Sequence, residues 1–363
     1  MSTEPKYLFI KNDIKEKIET GMYSLGTKIP SENKLTKLHA VTRHTVRQAI
    51  SDLVNEGYLL KKQGSGTFVS DKYLRIEKKT GRKTIGVITT YISDYIFPYI
   101  IRGIEEELSN RNYSLMLLST RNNVEIESIS LKSMIDQNVD GLIVEPTKSN
   151  LMNPNLNYYL NISEKEIPLI MINATYEELD LPFIAINDIK AGKIATEHLI
   201  ELGHTRIGLL TKADDVQGKN RMKGYLEALH DAKLTFESNH VFKYNTETKS
   251  DIPMYLKSLI ESGDYPTSFV VYNDEVAMML IYEIHTAGLN CPEDISVVSH
   301  DDSHYSTTLP TVQLTTIRHP KEELGRAAVR WLVNSIESNN MDQDSIVFEP
   351  KLIVRNSTRR IVD

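Results

Sequence analysis

Nine runs rich in Val, Ile and Leu recur between Thr84 and Arg318, and they constrain the fold more than anything else in the chain. They read TIGVIT (84–89), SLMLLST (114–120), VDGLIVEP (139–146), PLIMIN (168–173), FIAIND (183–188), RIGLLTK (206–212), SFVVYND (268–274), ISVVSHD (295–301) and QLTTIR (313–318). A continuous apolar run fits a strand buried on both faces, whereas a half-exposed strand would alternate. The runs alternate with helical segments, which predicts parallel sheets covered by helices. Nine strands exceed a typical sheet, and about 280 residues exceed a typical core. Two α/β subdomains with a cleft between them follow. Ligands of such sheets bind outside the carboxyl ends of the strands.

Those strand ends are polar. NATY begins at Asn173, KADDVQGKNRMKG at Lys212, YNDE at Tyr272 and SHDDSHY at Ser299. Asn, Asp and Arg converging from several strands suit a polyhydroxylated ligand, whose hydroxyls both donate and accept. Asp274 and Asp302 fit helix N-caps as well. Glu145, Lys148 and Gln217 fall on facing strand-end loops and join the candidate effector contacts.

Residues 1–83 are of another kind. They hold 17 Lys and Arg against 9 Asp and Glu, a net of +8, whereas residues 84–363 hold 25 against 40, a net of −15. A basic head on an acidic body suggests a polyanion-binding module. Tyr7, Ile10, Ile14 and Ile18 share one helix face that ends at Gly21. Ser31 caps a second helix, with Leu35 and Leu38 expected inward. Thr42 caps a third, buried through Val46, Ala49, Ile50 and Leu53. The segment YLLKKQGSGTFVS then predicts two short strands around a glycine-rich tip. Helix, helix-turn-helix and hairpin make a winged helix-turn-helix, whose third helix enters the major groove by its first turn. Arg43, His44 and Arg47 crowd that first turn, where the helix dipole disfavours cations. Phosphates and guanine acceptors beside them would reverse the sign.

Other classes are excluded in turn. One cysteine, Cys291, precludes an intrachain disulfide and cysteine-rich zinc clusters. No apolar run approaches a membrane span, and the first residues lack a secretory h-region, so a cytoplasmic protein is expected. An α/β enzyme is the competing reading. A dehydrogenase should show G-x-G-x-x-G after its first strand, where TIGVITTYISDYIFP stands, and no phosphate-binding P-loop pattern occurs. Ser303 and His304 are adjacent, which is not a triad arrangement. No metal or cofactor is expected.

Two resemblances sharpen this. IPSENKLTKLHAVTRHTVRQAISDLVNEGYLLKKQGSGTFVS resembles the DNA-binding domain of the GntR family over about residues 5–70. That resemblance implies DNA contacts by Glu32, Arg43, His44, Thr45 and Arg47, and by Gln63 and Gly64 at the wing tip. EHLIELGHTRIGLL, RMKGYLEAL, YNDEVA, PEDISVVSHDD and LTTIRHPKEELGRAA resemble LacI/GalR-type effector domains, which share a fold with periplasmic sugar-binding proteins. It implies sugar contacts by Arg221, Asn273 and Asp301, a further one by Asn173, and an aromatic contact from Tyr95 and Phe97. Ser299-His300 departs from that family's usual Gly and aromatic and puts His300 near the pocket. The hinge helix of LacI-type proteins is missing. The combination resembles the arabinose-repressor family, which implies L-arabinose as effector, a homodimer and repression of arabinose-use genes at operator DNA. The expected organisation is a winged-helix domain at 1–70, a linker at 71–83 and a sugar-binding and dimerisation domain at 84–363. The expected fold is α/β: a two-lobed, periplasmic-binding-protein-like domain of two Rossmann-like subdomains behind the small head.

Overall fold

The computed structural model describes residues 5–62, 65–70, 82–340 and 343–361. The chain divides into two compact units, Met1–Lys83 and Thr84–Asp363.

The first unit holds helices α1 (Lys6–Glu19), α2 (Glu32–His39) and α3 (Arg43–Asn55), then strands β1 (Leu59–Lys62) and β2 (Gly66–Val69). The strands pair antiparallel, Leu59 opposite Val69 and Lys62 opposite Gly66. Ser31 caps α2 through Lys34 N, and Thr42 caps α3 through Thr45 N. Ile10, Ile14, Leu35, Val46, Ile50 and Leu53 form its centre. Leu38, expected inward, is 62% exposed. Three residues on from Leu35 lies about 60° round the helix, and α2 ends one residue later at His39.

The second unit contains two six-stranded sheets. In the first lobe the order is β4 (Ser114–Ser119), β3 (Thr84–Thr89), β5 (Gly141–Val144), β6 (Leu169–Ile172), β7 (Phe183–Ile186), β13 (Ile346–Phe348), all parallel. In the second it is β9 (Val241–Tyr244), β8 (Ile207–Lys212), β10 (Ser268–Val271), β11 (Ser296–Asp301), β12 (Thr315–Arg318), β14 (Lys351–Ile353), with only β14 antiparallel. β9, β13 and β14 lie beyond the nine expected strands.

Among the described residues the chain crosses between lobes three times. It passes at Asn187 from β7 into α7 (Asp188–Glu201), at His319-Pro320 from β12 into α11 (Lys321–Ser338), and at Glu349-Pro350 from β13 into β14. Asn187 N donates to Phe348 O at 3.0 Å, so two crossings run side by side. Each crossing helix packs on the first helix of the lobe it enters: α7 on α8 (Val216–Asp231), and α11 on α4 (Phe97–Asn110). Both joints rest on glycines. A Cβ on Gly192 would sit 2.1 Å from Arg221 O, and one on Gly224 1.9 Å from Ile189 O. In the other lobe Gly103 faces Glu322 O at 2.2 Å and Gly325 faces Ile100 O at 2.3 Å. Each glycine abuts the carbonyl three residues before its partner's glycine, so any side chain would force the backbones apart.

Candidate functional site

The strand ends of the two lobes face a cavity of about 210 Å³. Tyr95, Phe97, Glu145, Asn173, Gln217, Arg221, Asn273 and Asp301 all line it. Lys148 does not; it sits in the loop after β5 and pairs with Glu247.

Arg221 is the hub of one wall. The α7–α8 glycine joint brings it, 6% exposed, against the start of α7. Its Nε donates to Asp188 Oδ1 at 2.8 Å, one terminal nitrogen to Tyr272 O at 2.5 Å, and the other to Asp301 Oδ1 at 3.3 Å. Burial pushes the Asp188 carboxyl up to about 6 against the pull of Arg221. Burial also opposes ionisation of Asp301, but Arg221 and its other partners prevail and hold it below the usual carboxylate range. A buried guanidinium between two carboxylates is fixed in one plane and keeps further N–H donors for a ligand.

Asp301 also meets the opposite lobe. Tyr95, on the turn before α4 at φ +55°, donates to Asp301 Oδ2 at 2.7 Å and accepts from Asp274 N at 3.1 Å. Glu145 and Asn173 form the facing wall. Asn173 Nδ2 donates to Glu145 Oε1 at 2.8 Å, and Thr90 donates to Oε2 from both N and Oγ1. Burial raises the Glu145 pKa against those bonds. Phe97, 8% exposed, supplies an apolar surface.

Some polar atoms of the cavity wall are buried without a partner: Gln217 Oε1 and His319 Nδ1. The other His319 nitrogen lies 3.2 Å from Asn173 Oδ1, and burial lowers its pKa to about 4. Neutral at pH 7 and donating from Nε2 to Asn173 Oδ1, it offers an acceptor at Nδ1 to the cavity. His319 and Asp188 escaped the sequence reading although both follow apolar runs directly. They stand at crossings between lobes, which no run of residues reveals.

Two expectations are corrected, for Asp274 and Asp302. His300 does lie near the pocket, its carbonyl accepting from the Tyr95 hydroxyl at 3.3 Å, but its side chain is 1% exposed and does not line the cavity. Its Nδ1 faces Val271 O at 2.9 Å, and burial lowers its pKa to about 3. Asn273, not Asp274, caps α10 (Asp274–Thr286), accepting from Val276 N at 3.0 Å. Asp274 is instead a buried node bonded by Ser299, Ser303 N and Thr316. Asp302 caps nothing and pairs with Arg355 at 2.6 Å.

In the first unit, Arg43, His44 and Arg47 are exposed at the start of α3. Thr45 Oγ1 lies 2.8 Å from Thr42 Oγ1. Glu32, first residue of α2, accepts from Arg43 Nε at 3.2 Å and Arg47 Nε at 3.0 Å, with Lys61 at 3.6 Å. Partial burial works to raise the Glu32 pKa, but the two arginines hold it below the usual range. The cations at the helix start thus have an internal anion in the free protein. Gln63 and Gly64 lie outside the described residues.

Similarity to known proteins agrees with both halves. Residues 6–69 match the family model of bacterial regulatory proteins, gntR family, and residues 196–358 match a periplasmic binding protein-like domain. The arabinose metabolism transcriptional repressor of Halalkalibacterium halodurans is 45% identical, over 98% of this chain and 97% of that one. Its counterpart in Geobacillus stearothermophilus is 43% identical over 99% of each. The transcription regulator CcpA of Lactococcus lactis superposes with a TM-score of 0.68 at 27% identity, covering 77% of this chain and all of its own. These are transcription regulators, which leaves the enzyme reading without support. With its GntR-type head and its two-lobed, LacI-type body, the chain belongs to the family of arabinose metabolism transcriptional repressors.

Proposed function

We propose that this chain is a cytoplasmic repressor that holds double-stranded operator DNA as a homodimer and lets go when its cleft binds L-arabinose. The observation that carries the sugar reading is the cavity itself. Arg221, clamped by Asp188 and Asp301, faces Glu145 and Asn173 across a space with open polar atoms on Gln217 and His319. Hydroxyls in several directions meet fixed donors and acceptors there, and Phe97 offers an apolar face to the ring's C–H groups. The relatives' names supply the choice of pentose.

Asp301, Arg221, Asn273, Asn173, Glu145, Gln217, Tyr95 and Phe97 are assigned to the effector, with Asp188 and His319 added. Lys148 is left out because its ammonium is engaged with Glu247. In the head, Arg43, His44, Thr45, Arg47 and the wing tip at Gln63-Gly64 read or grip DNA, with Glu32 ordering the arginines before contact. One winged helix buries too little surface to specify a genomic site, so two heads on two half-sites are required.

Calorimetry with L-arabinose and with D-xylose tests the effector. L-Arabinose should bind the wild-type chain more tightly, and Asp301→Asn should weaken it at least tenfold while operator affinity without sugar stays unchanged. Equal affinity in wild type and Asp301→Asn would place the effector elsewhere.

A further inference from the structure

The cavity has a second set of contacts between its walls, made by the chain's own side chains and backbone. Asn122, in the loop after β4, is 2% exposed and sits at φ +54°. Its Oδ1 accepts from Lys148 N at 2.8 Å in its own lobe, and its Nδ2 donates to Thr246 Oγ1 of the other lobe at 2.7 Å. Thr246 passes the chain on, donating from Oγ1 at 2.6 Å and from N at 3.0 Å to Asp214 Oδ2. Beside it, Asn150 donates from N to Asp214 O at 3.2 Å and from Nδ2 to Ala213 O at 2.8 Å. Ser149 Oγ accepts from Val216 N at 2.9 Å.

The place of these bonds follows from strand order. They join the loops after β4 and β5 to those after β8 and β9. β4 and β9 each end their sheets on the side away from β13 and β14, where the chain crosses between lobes. The contacts therefore lie far from the pivot, where opening moves atoms furthest. A rotation at the crossings that parts the lobes would break them together. We infer that Asn122, Thr246 and Asn150 form a closure clasp that sets how much of the sugar-free protein is already closed, and so the sugar concentration at which the repressor releases.

The reasoning is one of populations, and it rests on the sugar-effector reading given above. A ligand that binds only the closed form has an apparent dissociation constant equal to the intrinsic one divided by the closed fraction. Bonds between lobes raise that fraction whether or not their residues reach the ligand: Asn122 and Thr246 line the cavity, whereas Asn150 lies outside its lining. Asn150 is thus a positioning residue for the response.

Thr246→Val removes the hydroxyl that links Asn122 to Asp214 and keeps a β-branched shape, and Thr246→Ser restores the hydroxyl. Asn150→Ala removes an independent strand of the clasp. Small-angle scattering of the sugar-free full chain should show a more open body in Thr246→Val and Asn150→Ala, with Thr246→Ser like wild type. L-Arabinose affinity should fall about three- to tenfold in the two opened variants, the range set by losing one net hydrogen bond. The half-release concentration for operator should rise by the same factor, with full release still reached at saturation. Unchanged scattering in both variants would overturn the clasp. Opened bodies with unchanged sugar affinity would also overturn its role in the response. If L-arabinose failed to bind even the wild-type chain, the effector reading would fall, and the scattering of the sugar-free variants would still decide whether the clasp exists.

Discussion

Glu32 shows how one side chain changes the reading of its neighbours. At the start of α2 it complements the helix dipole, and it also bonds both arginines of the recognition helix. Glu32→Gln would free two guanidiniums. Binding to random DNA should tighten, and its salt dependence should steepen by about 0.9 in log–log slope for each added phosphate contact. The ratio of operator to random affinity should fall. Fluorescence anisotropy over a salt series measures all three, and an unchanged slope would mean that the arginines reach phosphate with Glu32 still attached. At this scale the sequence was only partly legible. Arg221, Asn273 and Asp301 came from the resemblance to LacI/GalR-type effector domains; Asn273 and Asp301 also stand at strand ends, whereas Arg221 lies inside α8. The pairing of Glu32 with Arg43 and Arg47 could not be found, because it joins two helices across a turn whose geometry no spacing rule gives. Lys148 lies on the expected strand-end loop but outside the cavity lining, and Glu247, which engages it, lies 99 residues away in the other lobe.

Among the elements, the two glycine joints do unlike work with the same geometry. Gly192 and Gly224 let α7 and α8 approach until Arg221 reaches Asp188. Gly103 and Gly325 serve α4 and α11, remote from that pair. Gly192→Ala and Gly103→Ala should therefore each cost about 1–3 kcal/mol, as overpacked contacts do. Only Gly192→Ala should also weaken sugar binding severalfold. Urea unfolding and calorimetry on the two variants separate the effects, and an equal loss of affinity would show that the joint does not place Arg221. The nine strands were readable because each is rich in Val, Ile and Leu with few interruptions. β9, β13 and β14 were not, because they are short and half-exposed edge strands: Val241–Tyr244 carries Lys243, and Ile346 and Val347 are exposed. A strand with one wet side and three or four residues leaves too little periodicity to detect.

For the whole molecule, the question is how a cleft in one unit governs a helix in the other. Residues 71–81 lie outside the described residues, and they contain most of the expected linker. If sugar acts by changing the spacing of two heads in a dimer, this segment must carry the change. A long Gly/Ser insert there should leave sugar affinity intact, weaken operator binding, and abolish most of the further loss on adding sugar. Operator titrations with and without L-arabinose test it, and full release by an insert-bearing protein would exclude control through spacing. By linkage, the wild-type DNA complex should bind sugar more weakly than the free protein, by the factor by which sugar weakens DNA binding.

The reciprocal glycine contacts bear on how the body moves. Each crossing helix enters its lobe through the same seat, where paired glycines bring backbone against backbone. Such a seat has no slack, because packed backbones repel steeply when pressed and leave a void when parted. Rotation at the crossings is then not lost in sliding between helices and passes whole to the sheet beyond. The body behaves as a caliper, two stiff arms clamped alike to one axle. A few degrees at Asn187 and His319 become the widest travel at the tips, where Asn122 and Thr246 meet.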